Sequence, residues 1–185
     1  MEALFTSTVA VAIAEIGDKT QLLAMLLAAR FNNRLSLISG IIAATLLNHF
    51  GAGLIGHYFT GFFQNEWIGY VVGGAFIALG LWLLIPDEED EEDKRFYKYG
   101  AFMATFVLFF LAEIGDKTQV ATVLLAAKYE DLFMVVIGTT LGMLAANVPV
   151  IYITQFFIKP NYLMWIHRIA ASLFIILGII TVISY

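Results

Sequence analysis

The chain has 185 residues, 61% of them hydrophobic and 14% charged, with a formal net charge of −5 and no cysteine; its mean hydropathy is +0.85. Soluble domains run near roughly 45–50% apolar and about 25% charged, so water is excluded as the only solvent and much of this surface must face lipid. Sparse Arg and Lys leave nucleic-acid binding without an electrostatic basis, and the missing thiol rules out disulfides, thiolate metal sites and cysteine nucleophiles.

Six apolar stretches follow one another, approximately Ala3–Ala29, Leu35–Phe59, Trp67–Ile85, Gly100–Ala127, Leu132–Phe157 and Leu163–Ile183. Each is long enough to cross a hydrocarbon core of roughly 30 Å. They lack the alternation of a membrane barrel, so helices remain, because lipid-facing backbone must bond within its own segment. The expected fold is all-α: a polytopic membrane protein of six transmembrane helices. Met1-Glu2-Ala3-Leu4 has no basic n-region of a cleavable signal peptide, so the first stretch is expected to stay as a membrane helix. Between the third and fourth stretches lies an acidic run, Asp87 to Asp93, holding seven of the fifteen acids. Like charges repel it into a solvated linker; gathering cations at a pore mouth is the functional alternative.

The chain is a tandem repeat. Glu15 and Glu113 are 98 residues apart, and the same offset maps Arg30 to Lys128, Gly40 to Gly138, Trp67 to Trp165 and Gly80 to Gly178. Asn48 matches Asn147 if one residue is inserted in the second copy. Residues 1–86 then form a first three-helix repeat, 87–98 an acidic linker and 99–185 a second three-helix repeat, within one transmembrane domain. An odd helix count makes the second copy enter the membrane from the opposite side, so two inverted repeats are expected. With the termini on one side, the opposite loops hold Arg30, Arg34, Lys94, Arg95, Lys98 and Lys159, against Lys128 alone on the terminal side. The positive-inside rule puts both termini outside and the linker in the cytoplasm. The Gly-rich third stretch, with Gly69, Gly73, Gly74 and Gly80, serves internal packing or a dimer.

Two copies of one motif carry the chemistry: Glu15-Ile16-Gly17-Asp18-Lys19-Thr20-Gln21 and Glu113-Ile114-Gly115-Asp116-Lys117-Thr118-Gln119. A charge at the centre of a membrane helix costs on the order of 2.5–3.5 kcal/mol. On a helix, residue i+3 returns nearly to the face of i, so Glu15 points with Asp18 and Glu113 with Asp116, the lysines flanking them. Facing carboxylates repel unless cations or protons intervene. Four carboxylates and two lysines leave a formal charge of −2, which one divalent ion or two protons would neutralise. Such a site exchanges one for the other. Its donors are hard oxygens, with Thr20, Gln21, Thr118 and Gln119 as further candidates, and these suit Mg, Ca or Mn. The bland reading of the acids is a buried structural ion pair, Glu15 with Lys19 and Asp18 with a lysine of the other repeat. Gly17 and Gly115 either break the helix and free a carbonyl ligand or permit tight helix packing. Lys19 and Lys117 act as ion-pair partners or snorkel to the interface. Asn48 and Asn147 add neutral ligands or hydrogen-bond neighbouring helices. His49 and His57 lack counterparts in the second copy and read as packing or interfacial residues.

Two Glu-x-Gly-Asp-(Lys/Arg)-(Thr/Ser) motifs, in three-helix halves joined by an acidic linker, resemble the calcium/manganese cation–proton exchanger family of bacteria, chloroplasts and the Golgi. The similarity covers essentially the whole chain, and the short length resembles the bacterial manganese-exporter type. The resemblance implies a secondary transporter of the bacterial inner membrane, exporting Mn²⁺ or Ca²⁺ against protons. It carries no resident cofactor, because the metal is the substrate, and its motif acids map to Glu15, Asp18, Glu113 and Asp116. The rival classes are an exporter of small organic cations or amino acids, a passive divalent-cation channel, and an intramembrane aspartyl protease. The protease motif wants Gly-x-Gly-Asp, where this chain has Glu-Ile-Gly-Asp, so no enzyme is expected.

Overall fold

The structure is a computed structural model, and it describes residues 1–62, 68–82, 84–85, 94–129, 131–153 and 160–184. The acidic run Asp87–Asp93, Trp67, Glu66 and Lys159 lie outside the described residues. Within them the regular structure is wholly helical: α1 (Glu2–Glu15), α2 (Lys19–Arg30), α3 (Arg34–Phe62), α4 (Ile68–Trp82), a short 3-10 helix (Lys94–Tyr99), α5 (Gly100–Glu113), α6 (Lys117–Tyr129), α7 (Leu132–Tyr152) and α8 (Pro160–Ser184).

The first and fourth apolar stretches are each two helices, not one. α1 has 14 residues and α2 has 12, or about 21 Å and 18 Å at 1.5 Å per residue. Neither alone reaches across roughly 30 Å of hydrocarbon. Among the described residues, three helical segments are long and apolar enough to cross: Arg34–Tyr58, Phe96–Glu113 and Leu132–Tyr152. Tyr70–Trp82 and Ala171–Ile183 are shorter apolar helices. Outward faces carry Leu47, Ile55, Val71, Ile137, Ile176 and Ile180, an apolar shell that lipid accommodates and water would not.

Packing follows the 98-residue offset. α1 lies along α7, α3 lies against both α5 and α6, and α4 lies along α8. A Cβ on Gly40 would stand 2.9 Å from Phe102 O and 2.7 Å from Thr105 Cβ; one on Gly138 would stand 2.6 Å from Leu4 O and 2.9 Å from Ser7 Cβ. Phe102 and Thr105 are Leu4 and Ser7 plus 98. At the α4–α8 crossing, Gly80 meets Ala171 O and Ile175, while Gly178 meets the offset equivalents Gly73 O and Ile77. Phe76 and Phe174, each other's equivalents, stack with centroids 6.1 Å apart. Exchanging the copies maps this set of contacts onto itself, as a two-fold relation requires.

Gly73 and Gly80 therefore serve internal packing, whereas Gly74 has nothing within 4 Å of a Cβ. The register also corrects the matching of the asparagines. Gly40 and Gly138 fix the offset of α3 and α7 at 98 without an insertion, and both helices run on unbroken. Asn48 then corresponds to Ala146, and His49 corresponds to Asn147.

Gly178→Val drives a side chain into the Gly73 carbonyl, and overpacking of this kind costs about 1–3 kcal/mol. The expected result is a lowered thermal midpoint of the detergent-solubilised protein. Gly74→Ala, on the open face, is expected to leave the midpoint unchanged or slightly raised.

Candidate metal centre

Each motif is a turn between two helices. α1 ends at Glu15; Ile16 is extended at φ −67°, ψ 116° and Gly17 has φ +86°. Asp18 N donates to Glu15 O at 3.1 Å, which closes a type II β-turn, the turn that demands φ > 0 at its third residue. The second copy repeats it: Ile114 at φ −65°, ψ 120°, Gly115 at φ +76°, and Asp116 N to Glu113 O at 3.2 Å. The backbone of each turn is bonded locally. Gln21 Oε1 accepts from Gly17 N, and Gln119 Oε1 from Gly115 N, both at 2.8 Å.

This corrects the helical picture of the motif. Glu113 and Asp116 come together through the turn, not through i, i+3 spacing on a continuous helix, and Asp18 does not join Glu15 in the same way. Each Glu ends up at a helix C-terminus and each Asp just before a helix N-terminus. The exposed carbonyl ends of α1 and α5 attract cations, while the N-terminus of α2 favours the Asp18 charge.

The two turns meet inside the bundle, where α1 touches α6 and α2 touches α5. Glu15, Glu113 and Asp116 each offer an oxygen within 4.8 Å of the others, and all three are buried. Asp18 is buried at the N-cap of α2, outside this group. The threonines act as internal donors to the acids. Thr20 Oγ1 donates to Glu15 Oε2 at 2.6 Å; Thr118 Oγ1 divides its bond between Glu113 Oε2 at 3.3 Å and Asp116 Oδ2 at 3.2 Å. Glu15 Oε1 and Glu113 Oε1 are buried with no hydrogen-bond partner among the described residues.

The two lysines differ. Lys19 Nζ lies 3.9 Å from Asp116 Oδ1, across the motifs and not within its own. Lys117 Nζ donates to Ile85 O at 2.6 Å and sits 5.9 Å from the Trp82 ring centroid. Lys19 thus sets a cation beside the acidic group, and the three carboxylates with Lys19 sum to −2. Gln21 Nε2 also donates to Ala146 O at 2.8 Å, tying α2 to α7. Asn48 Nδ2 reaches Phe110 O at 3.0 Å, the helix-bonding role, and Asn147 Nδ2 bonds Met143 O of its own helix at 3.1 Å.

One residue was passed over in the sequence. His49, fully buried, places Nε2 3.8 Å from Glu113 Oε2. The signal was there: an ionisable side chain in mid-membrane marks a functional position by default.

Comparison with known proteins comes to the same region of chemistry. A family model described as "Divalent cation/proton antiporter GDT1" matches residues 3–91 and 101–185. A protein of Vibrio cholerae named "Putative manganese exporter" is 43% identical over 182 residues, covering 98% of this chain and 90% of that one. A GDT1-like protein of Synechocystis is 32% identical over 142 residues, 64% of this chain and 66% of its own. GDT1-like protein 5 of Arabidopsis thaliana is 25% identical, with 77% of each chain covered. No solved structure matches the chain significantly.

Gly115 isolates the backbone requirement, because a Cβ there meets nothing within 4 Å. Gly115→Ala is expected to cost about 1–2 kcal/mol purely from the left-handed conformation. Gly115→Val should cost more and Gly115→Asn less, all read from denaturant or thermal unfolding in detergent.

Proposed function

The chain belongs to the divalent cation/proton antiporter GDT1 family, and from that premise we propose that it exports Mn²⁺ in exchange for protons. The family is one of transporters and not of enzymes, and the divalent ion is its substrate, not a cofactor. The observation that carries the proposal is the buried trio Glu15, Glu113 and Asp116, drawn from both motifs and held within 4.8 Å.

Three carboxylates so close in a low-dielectric interior repel one another strongly. A divalent ion or protons relieve the repulsion, and the two compete for the same oxygens. Asp18 completes a set of four acids in this reading, and Thr20, Gln21, Thr118 and Gln119 hold the acids and turns in place for the ion. The broken helices belong to the design: half-helix ends at the bundle centre aim backbone dipoles at a transported ion.

In this reading α1 with α2, and α5 with α6, each make one crossing, so the chain crosses six times as two inverted three-helix halves. The exchange of contacts at the 98-residue offset supports that arrangement. The termini lie outside a bacterial inner membrane, and the 87–98 linker lies in the cytoplasm. The inward-facing protein binds the ion on its carboxylates. One half rocks against the other and the ion leaves outside. Protons then neutralise the acids for the return. A site of oxygens accepts Ca²⁺ as well, so Ca²⁺ belongs among the tested ions.

Proteoliposomes loaded with Mn²⁺, Ca²⁺ or Mg²⁺ under imposed pH gradients test the exchange. Mn²⁺ flux should move protons the other way; flux without proton movement removes the antiport. Glu15→Gln and Asp116→Asn should each lower transport at least tenfold while the protein still inserts, and full activity in both would sink the site. Because the chain has no cysteine, Lys98→Cys gives a unique thiol. A membrane-impermeant maleimide should label it from the cytoplasmic face alone.

A further inference from the structure

We infer that His49 is a direct, selectivity-determining ligand of the transported ion, its Nε2 joining Glu113 and biasing the site toward Mn²⁺ over Ca²⁺. The inference rests on the divalent-cation site proposed above and adds to it a nitrogen donor from outside both motifs.

The hydrogen bonds favour one tautomer of His49. His49 Nδ1 lies 2.9 Å from Thr139 Oγ1 on α7. The Thr139 hydroxyl has one proton, and it donates that proton to Val136 O at 3.2 Å, a carbonyl that can only accept. Thr139 therefore accepts from His49, so Nδ1 carries the hydrogen and Nε2 carries a lone pair. Metal-binding histidines are oriented in this way, by a bond from the second ring nitrogen.

Nε2 is buried and has no hydrogen-bond partner among the described residues. Its distance of 3.8 Å to Glu113 Oε2 is too long for a hydrogen bond. Two ligands of one ion, each ~2.2 Å from it, stand ~3.1 Å apart at right angles and ~4.4 Å apart when opposite. The observed separation falls between these limits. Two lone-pair atoms face each other there, which is repulsive unless a cation or a proton lies between them.

The second copy provides an internal contrast. Asn147, the offset equivalent of His49, is also fully buried. Its Nδ2 is spent on Met143 O at 3.1 Å and Met143 Sδ at 2.9 Å, leaving Oδ1 without a hydrogen-bond partner among the described residues. Both copies thus present a free acceptor at one depth, nitrogen in the first and oxygen in the second. Ca²⁺ is served by oxygen alone, whereas imidazole is a ligand for transition metals. His49 is the one departure from an all-oxygen set among the residues assigned here.

The test uses the tag-free full chain in detergent, with Mn²⁺ as the probe. Pulsed EPR of bound Mn²⁺ should show ¹⁴N coupling from one imidazole in the unaltered protein, and His49→Asn, which copies Asn147, should abolish it. The same variant should weaken Mn²⁺ binding about tenfold or more and Ca²⁺ binding less, so that the Mn²⁺/Ca²⁺ ratio falls. His49→Gln repeats the experiment should the first variant fail to fold. Bound Mn²⁺ without ¹⁴N coupling, or an unchanged Mn²⁺/Ca²⁺ ratio in a folded variant, overturns the inference and leaves the carboxylate site standing. Mn²⁺ binding that is absent, or indifferent to Asp116→Asn, overturns both.

Discussion

Mutual repulsion among buried carboxylates is the constraint on which the rest of this structure depends. Glu15, Glu113 and Asp116 crowd together, with Lys19 beside Asp116 as a counter-charge. Such a cluster costs free energy that a uniform helical bundle could not offset. The fold answers by breaking two helices at the acids. Each break supplies a turn with its own hydrogen bonds, a threonine donor to the carboxylates and helix ends whose dipoles face the charges. One oxygen on each glutamate still has no hydrogen-bond partner among the described residues, an atom that a cation or proton would take up.

Around that cluster the bundle keeps its halves dependent on each other. The first motif is braced by α7, through Gln21 to Ala146 O, and the second half's α5 is braced by α3, through Asn48 to Phe110 O. Each half is thus tied to the other close to a turn. This explains why close glycine contacts, at Gly40 and Gly138, cross between halves instead of lying within one: the braces have to approach backbone to backbone.

Much of this was legible in the sequence, and the lapses have physical reasons. Apolar stretches, the 98-residue offset and the acidic motifs are covalent patterns, so composition and spacing reveal them. The resemblance to a cation–proton exchanger agreed with the family match. The turn was harder, because a glycine inside an apolar run reads equally as a packing contact. Asp18-Lys19-Thr20-Gln21 held the missing cue, since Asp followed three residues later by Gln opens a helix. It placed a start where a continuous span was expected. His49 was lost to a shifted alignment that paired Asn48 with Asn147; the rigid register of two unbroken helices restores its counterpart. The divergent roles of Lys19 and Lys117 had no trace at all, because identical neighbours in sequence reach different surroundings in space.

The stacked pair Phe76 and Phe174 has a consequence of its own. Each ring is the other's counterpart, so the contact is the same viewed from either half. Trading the roles of the halves would send Lys19 and Lys117 into each other's surroundings, yet would leave this stack and the glycine crossing around it as they were. At these two rings the α4–α8 contact is therefore indifferent to which half is taken first. The halves differ where the duplication failed to copy, and His49 with Asn147 is one such fully buried pair.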